Sequence, residues 1–466
     1  MKQTSALNGP FSIIADMDTP VSAYTKLAPL KPRYLLESVE GGLRLARYSF
    51  LGFGKASEIR ISPERALVNG ETLPAPQSAT ELLNLLRSLR DKAPALKPHL
   101  PEVPFDGGLV GYSGYDLVKL FESSLESETK GEADYAAYAI CESMLVFDHL
   151  TRRIALLHAG SDAEREALEL QIRALLRGPL PGHSMPANLG EAAPSMSEAE
   201  FAERVAAAQS AILAGDVYQL VASIRFSGHF DGDSFAAYRA LRLLNPSPYM
   251  FYCEFGDLRI AGSSPEALVR LNGRTANLRP IAGTRPRGKT RAEDLAHESS
   301  LLADPKELAE HVMLVDLARN DLGRVAVPGT VEVSPYMKIE RYSHVMHIVS
   351  GVSATLTESA DCFDVFRSAF PAGTLVGAPK ISAMKKIAQL EPVERGLYAG
   401  TVGYFAANGD MDQAITIRTL VFDSETYSFQ AGAGIVADSN PATEFQEVQH
   451  KSAILRQALE LAARGL

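Results

Sequence analysis

From Leu308 to Ala318 apolar residues fall on nearly every side of a helical period, whereas around Ala414–Phe422 they alternate with polar ones. The first pattern predicts a helix with little solvent-facing surface, the second a strand. The helix carries its own boundaries: Asp304 as cap, Pro305 at the first helical position, Glu307 completing a capping box and Gly323 as stop. Ser197 with Glu200 makes another capping box, opening a helix to about Ala214. Further helices are predicted at Ala79–Leu89, Asp162–Leu176, Asp361–Ala369, Ile381–Gln389 and Asn440–Leu466. Strand signals fall at 33–39 and 46–51, separated by Gly41-Gly42, then at Val217–Phe226, Tyr249–Glu254 and Leu268–Leu271. Ala139–Asp148 and Arg153–His158 read as a hairpin, and Gly107–Tyr115 as a glycine-rich turn or strand edge. Strands and helices mix without a regular βαβ period, which favours an α+β fold built on antiparallel sheet. Pro, Gly, Ser and Asn crowd residues 178–195. That stretch predicts a boundary between an N-terminal domain, 1–178, and a second domain, 196–460.

Composition narrows the function classes. With 466 residues, 46% hydrophobic content and a net charge of -10, the chain can bury a large core and carries no basic stripe suited to nucleic acid. Its three cysteines, Cys141, Cys253 and Cys362, are scattered without metal spacing, as expected of a cytoplasmic protein. The first ten residues lack an apolar signal core and no run reaches transmembrane length, so no membrane partner is expected.

The candidate chemistry begins with two acidic pairs. Glu307 and Glu310 lie three apart on one predicted helix, and Glu444 and Glu447 three apart on another, with Lys451 a turn further along. A solvated Glu447–Lys451 pair and a capping Glu307 are the bland alternatives. Magnesium, which prefers oxygen ligands, is the reading that uses both pairs, with Glu310 the better placed of the first. Three glycine loops, 280–288, 371–380 and 432–439, could hold an anion through backbone N–H groups or serve as plain turns. Gly373 to Lys380 lacks P-loop spacing, and Asn440-Pro441 interrupts a dinucleotide fingerprint at Gly432-x-Gly434. Strand alternation sets Arg418 on the polar face with Ala414 and Thr416, opposite Ile415 and Ile417, where a guanidinium suits a carboxylate or an edge salt bridge. His344 and His347 lack zinc-protease spacing, and spacing alone does not decide whether either is a base.

Taken together and in order, several motifs resemble those of the chorismate-utilising enzymes, on the branch of the anthranilate synthase large subunits. They are Leu-Leu-Glu-Ser38, Asn-Pro-Ser-Pro-Tyr-Met250, Ser-Ser-Pro-Glu266, Pro-Ile-Ala-Gly-Thr284, Ala-Glu-His311 through Asn-Asp-Leu-Gly323, Arg-Tyr-Ser-His-Val-Met-His347 and Gly-Ala-Gly-Ile-Val-Ala-Asp-Ser439. The resemblance covers most of residues 30–455. It implies antiparallel sheets packed as a sandwich with flanking helices, and a lyase of aromatic amino acid biosynthesis. Such an enzyme turns chorismate and ammonia into anthranilate and pyruvate through aminodeoxyisochorismate. It further implies that Glu310 and Glu447 hold Mg²⁺ against the ring carboxylate, supported by Glu307 and Glu444. Tyr398 and Arg418 would hold the enolpyruvyl carboxylate, with Gly432, Ala433, Gly434 and Lys451 nearby, and Gly283, Thr284 and Thr374 would line the ring. Glu266 corresponds to the general acid at C4 and His347 to the histidine concerned with the C2 proton.

Gln219 stands where isochorismate and salicylate synthases carry a water-activating lysine, and Ala282 where many aminodeoxychorismate synthases carry one. Both point to anthranilate, with aminodeoxychorismate synthase and a catalytically silent regulator as the competing readings. The family's tryptophan site is similar to Glu37, Ser38, Pro248, Tyr249, Met250, Val402 and Tyr404, with Glu37 or Ser38 receiving the ammonium group. Two departures accompany these matches: Val376 replaces a small hydroxyl residue, and Gly42-Leu-Arg-Leu-Ala-Arg47 differs from the usual pattern. No cysteine sits in a glutaminase elbow, so the resemblance implies a separate glutamine amidotransferase subunit, or free ammonia.

Overall fold

The structure is a computed structural model that describes residues 9–39, 47–125, 133–180, 182, 185–342 and 345–466. His344, Gly41-Gly42 and most of the departing 42–47 segment lie outside the described residues.

Two long strands, Tyr48–Ile61 and Ala136–Asp148, pair antiparallel along most of their length and form a ribbon from which two runs of strands depart. One run leaves the Tyr48 end through Tyr34–Glu37, Tyr249–Phe255, Leu258–Ser264, Thr419–Asp423, Thr426–Ile435 and Gln219–His229. The other leaves the Ala136 end through Gly108–Ser113, Thr401–Ala406, Met411–Ile415, Ala267–Asn272, Thr275–Leu278 and Val352–Thr355. All of these pairings are antiparallel. Tyr34, Phe251 and Phe255 of the first run, with Phe50 of the ribbon, share a core with Tyr112, Val402 and Tyr404 of the second, so the runs face each other as a sandwich. Neighbouring residues such as Leu35 and Tyr252 point the other way, into the core beneath the helices. Burial on both faces explains why Met250–Cys253 reads as an unbroken apolar run.

Helix limits follow the sequence closely: Glu198–Leu213 behind a complete Ser197–Glu200 capping box, Lys380–Leu390, and Pro441–Ala463 capped by Asn440. Five expectations need correction. Gly108–Ser113 is a central strand paired on both sides, not an edge. Helix Pro305–Gly323 buries only one face, through His311, Leu314, Val315, Ala318, Asp321 and Leu322. Val312 is 47% exposed, and Asp316 pairs outward with Arg319 at 3.1 Å. The Asp304 carboxylate accepts the Lys306 and Glu307 N–H groups, but Glu307 does not close the box because its carboxylate accepts Arg285 Nη1 at 3.1 Å. Gly323 is the last helical residue and lacks the positive φ of a left-handed stop. Finally, the 414–422 strand is two strands, Met411–Ile415 and Thr419–Asp423, separated by a turn in which Arg418 takes φ 49°.

A separate three-stranded sheet sets Val345–Val349 between Ile281–Pro286 and Lys338–Arg341, packed on Leu301, Ile339, Met346 and Ile348. Among the described residues, no helix is long and apolar enough to cross a membrane.

Candidate active site

Glu266 sits in the two-residue step between strands Leu258–Ser264 and Ala267–Asn272, where its carbonyl accepts the Ile415 N–H at 2.9 Å. Its carboxyl accepts the Thr374 hydroxyl at 3.0 Å. Burial pushes its pKa up to about 7, against the opposing pull of the Thr374 bond, Arg418 and Lys451. A carboxyl so poised still carries a proton near neutrality and can give it away.

His347 lies on the central strand of the small sheet, opposite Thr284 on one side and Glu340 on the other. Its Nδ1 is 3.0 Å from the Gly283 carbonyl and 3.1 Å from the Thr284 hydroxyl. A carbonyl only accepts, so Nδ1 carries the proton and Nε2 presents a lone pair. Desolvation holds the imidazole below its usual pKa, keeping it neutral at pH 7. Gly283 makes this bond possible: a bulge falls between Ala282 and Thr284, and φ 71° at Gly283 turns the carbonyl toward the ring.

The two acidic pairs come together from two helices. Burial raises the Glu310 pKa, and Glu307 and Glu447 raise it further, while the Gln219 amide hydrogen-bonds its carboxylate. Glu444 is likewise raised, by burial and then by Glu447, against a Ser439 hydrogen bond. Internal cations hold two of the four: Arg285 on Glu307 at 3.1 Å and Lys451 on Glu447 at 2.6 Å. No three His, Cys, Asp or Glu side chains among the described residues converge closely enough to hold a metal as they stand. Their donor chemistry nevertheless fits a hard divalent cation, because mutual repulsion among carboxylates is what such a cation relieves.

Arg418 reaches the site from its left-handed turn, not from a strand face, and its carbonyl accepts the Ser263 N–H at 3.1 Å. Its guanidinium has no hydrogen-bond or ion-pair partner among the described residues. Burial lowers its pKa, and Glu266 offsets this in part. Two of the three supposed glycine loops are also strands: Gly283 and Thr284 lie in Ile281–Pro286, and Gly432 to Gly434 in Thr426–Ile435. Beyond Ser428 the latter strand keeps, among the described residues, only Gln219–His229 as a neighbour, so alternate backbone groups face away from the ladder. A Cβ on Gly432 would come within 2.8 Å of the Tyr398 hydroxyl, and one on Gly434 within 2.6 Å of Gln219 Nε2. Only glycines let those side chains approach so closely. Ala433 points into the core, and Lys451 donates to the Gly432 carbonyl at 2.9 Å.

Glu266, His347, the acidic cluster and the Arg418 guanidinium therefore share one site, in which the Arg418 charge acts on both Glu266 and His347. Glu37, Ser38, Pro248, Tyr249, Met250, Val402 and Tyr404 are not part of it. All seven line a separate cavity of about 490 Å³. There Glu37 is not a free acceptor: Tyr238 donates to it at 2.5 Å, and Arg242 at 3.0 and 3.2 Å.

Sequence reasoning missed Arg395 and Glu391, which tie the site together from behind. Arg395 grips Glu391 with two bonds and donates to the Leu375 and Val221 carbonyls at 2.7 and 2.8 Å. Their four-residue spacing was the available signal, but Pro392 disguises it by breaking the helical reading.

A family model described as chorismate binding enzyme matches residues 31–457. Anthranilate synthase component 1 of Neisseria meningitidis serogroup C is 44% identical over 97% of this chain and 95% of its own length. The protein of the same name from Thermus thermophilus is 45% identical over 98% of each. Among solved structures, anthranilate synthase component I from Streptococcus pneumoniae matches with a TM-score of 0.79 and 36% identity, covering 88% of this chain and 92% of that one. The menaquinone-specific isochorismate synthase of Escherichia coli, at 20% identity and a TM-score of 0.70 over 96% of this chain and 92% of that one, shares the fold.

Proposed function

Because the chain belongs to the chorismate binding enzyme family, we propose that it is the lyase subunit that converts chorismate and ammonia to anthranilate and pyruvate. One observation carries this reading furthest: a carboxyl with a pKa of about 7 stands beside a half-buried guanidinium that no group among the described residues satisfies. Arg418 and Tyr398 bind the enolpyruvyl carboxylate, and the outward backbone groups at Gly432 to Gly434 complete its cradle. Thr284 and Thr374 line the ring. Glu266 protonates the C4 hydroxyl, which leaves as water while ammonia attacks C2. His347 then takes the C2 proton on Nε2 as pyruvate is lost. Gln219 holds Glu310 and, unlike a lysine, cannot activate water, so ammonia is the nucleophile.

Glu310 and Glu447, with Glu307 and Glu444 in support, would hold Mg²⁺, which supplies positive charge for the ring carboxylate. Glu310→Gln is expected to raise the Mg²⁺ concentration needed for half-maximal rate by about tenfold or more. A metal titration of the steady-state rate checks this.

Ammonia comes from a separate amidotransferase subunit in the cytoplasm. All three cysteines are buried and their thiols pushed up, Cys141 and Cys362 to about 12, so none serves as a glutaminase nucleophile. The second cavity takes tryptophan as a feedback inhibitor, with Pro248, Met250 and Tyr404 giving the indole its apolar wall.

Anthranilate fluorescence from purified chain with chorismate, Mg²⁺ and ammonium at alkaline pH, with and without EDTA, tests the reading. Chorismate loss without anthranilate favours an aminodeoxy product, and no turnover by folded protein favours a silent regulator. The pH profile gives a second check. Glu266 must be protonated to act, so at constant free ammonia kcat/KM for chorismate is expected to fall about tenfold per unit once the pH exceeds the carboxyl's value near 7. A profile that stays flat to pH 9 assigns the acid role elsewhere.

A further inference from the structure

A larger cavity, of about 880 Å³, lies elsewhere between the two runs of strands. Thr419, Thr426, Ser428 and Gln430 of the first run wall it on one side, and Tyr112 of the second run on the other. The inner face of a sandwich is ordinarily apolar, but alternate residues of Thr426–Ile435 bring a threonine, a serine and a glutamine to this one. The Gln430 amide N–H donates to Ser223 Oγ at 2.8 Å, and its buried carbonyl oxygen has no donor among the described residues. Such a wall suits a wet passage, not a core.

The same strand face continues into the reaction site. Gln430, Gly432 and Gly434 follow one another at the two-residue period of the strand, so the cavity ends where the enolpyruvyl cradle begins. Tyr398 stands at that boundary. It is in the cavity wall, and its hydroxyl comes close enough to Gly432 that a Cβ there would lie 2.8 Å away. Arg225 lies on the cavity side, directly opposite Gln430 in the strand register. Its guanidinium donates to the Glu394 carbonyl at 2.5 Å and makes no ion pair among the described residues. Burial lowers its pKa against the pull of Asp116, Glu391 and Glu394, and a carboxylate passing beside it would relieve that cost. The far end of the cavity, at Arg65, Asp423 and Thr426, is exposed.

We propose that this cavity is the way out for pyruvate, a short 2-oxo carboxylate, which passes Tyr398 and is drawn on by Arg225 while the aromatic product leaves separately. The inference rests on the proposed anthranilate reaction. In that reading Arg418 and Tyr398 hold the enolpyruvyl carboxylate, and the acidic helices face the ring carboxylate. Pyruvate therefore forms at the end of the site that borders the cavity. Its path runs from one guanidinium toward another, with neutral hydroxyl and amide groups between them. The volume is far more than a three-carbon acid fills, which favours transit over retention. Because anthranilate does not block this route, pyruvate departs first.

Ser428→Phe narrows the cavity away from the reaction site, and Arg225→Gln removes its cation. Release follows bond breaking, so in Ser428→Phe kcat is expected to fall several-fold while kcat/KM for chorismate stays within about twofold. Rapid-quench sampling of that variant should show an anthranilate burst approaching about one equivalent per chain. Pyruvate should inhibit the parent chain noncompetitively against chorismate, and Arg225→Gln about tenfold more weakly. A disturbed reaction site would instead lower kcat/KM along with kcat. In Ser428→Phe an unchanged kcat, or a kcat/KM that falls to match it, overturns the inference. So does a raised KM for ammonia, which would make the cavity an entrance for the nucleophile. Pyruvate inhibition that is competitive, or as strong in Arg225→Gln as in the parent chain, overturns it too. Should one variant fail to fold, the other carries the test. A folded parent chain that makes no anthranilate defeats the functional reading, and the inference falls with it.

Discussion

Glu266→Gln is expected to lower kcat for anthranilate formation by about 10²- to 10⁴-fold while leaving KM for chorismate within a few-fold, the result of removing a proton donor without loss of shape. The amide keeps the side chain's size and its contact with the Thr374 hydroxyl, but it has no acidic proton for the departing C4 oxygen. Removing the buried ionisable group should not harm the fold, because a carboxyl raised to about 7 already gains nothing from being charged there. Single-turnover kinetics with chorismate and ammonia would separate the two consequences. A loss of less than about tenfold would show that protonation at C4 comes from another donor.

The second large effect is on stability. Arg395→Met is expected to destabilise the chain by about 3–5 kcal/mol, the usual cost of leaving one member of a buried ion pair without its partner. The Arg395 and Glu391 side chains are 1% and 5% exposed. The stranded Glu391 would retain only the Ser223 N–H and hydroxyl, at 3.0 and 2.6 Å. The Leu375 and Val221 carbonyls would lose their donor, and the Tyr398 ring its cation at 5.5 Å. Activity should therefore fall further than stability alone explains, since Thr374 and Tyr398 are both braced by Arg395. Urea unfolding of Arg395→Met and of the double variant with Glu391→Gln tests the pairing. The double variant should recover part of the loss, and no recovery would mean that the two carbonyl bonds dominate.

How much of this was legible in the sequence depends on how local each determinant is. The Ser197–Glu200 capping box and both acidic pairs rest on three-residue spacings, and all appear on helices as expected. Determinants distant in the chain were not legible. Nothing near Glu307 announces that Arg285 will take its carboxylate, and nothing near Glu37 announces Tyr238 and Arg242. Arg418 shows a subtler failure. Its alternating neighbours read as a strand, but the backbone turns through a left-handed residue, a conformation that no glycine or asparagine marks. Glu266 has no local pattern beyond following Pro265, and its role came from resemblance alone. Its burial raises the carboxyl to about 7, against the pull of the Thr374 bond, which is the protonation that role would need.

The way the strands interleave bears on how the chain is made. Tyr34–Glu37 lies between Tyr48–Ile61 and Tyr249–Phe255, and Gly108–Ser113 between Ala136–Asp148 and Thr401–Ala406. During synthesis Glu37 must wait for Met250, and Tyr112 for Val402, on the order of ten seconds or more at ordinary rates of elongation. Through that interval the emerging segment shows two unpaired strand edges flanked by apolar faces, the surface most prone to capture by a neighbouring copy. The ribosome-bound chain, more than the finished one, should be where holding chaperones find it, and slowed elongation should lower the soluble yield.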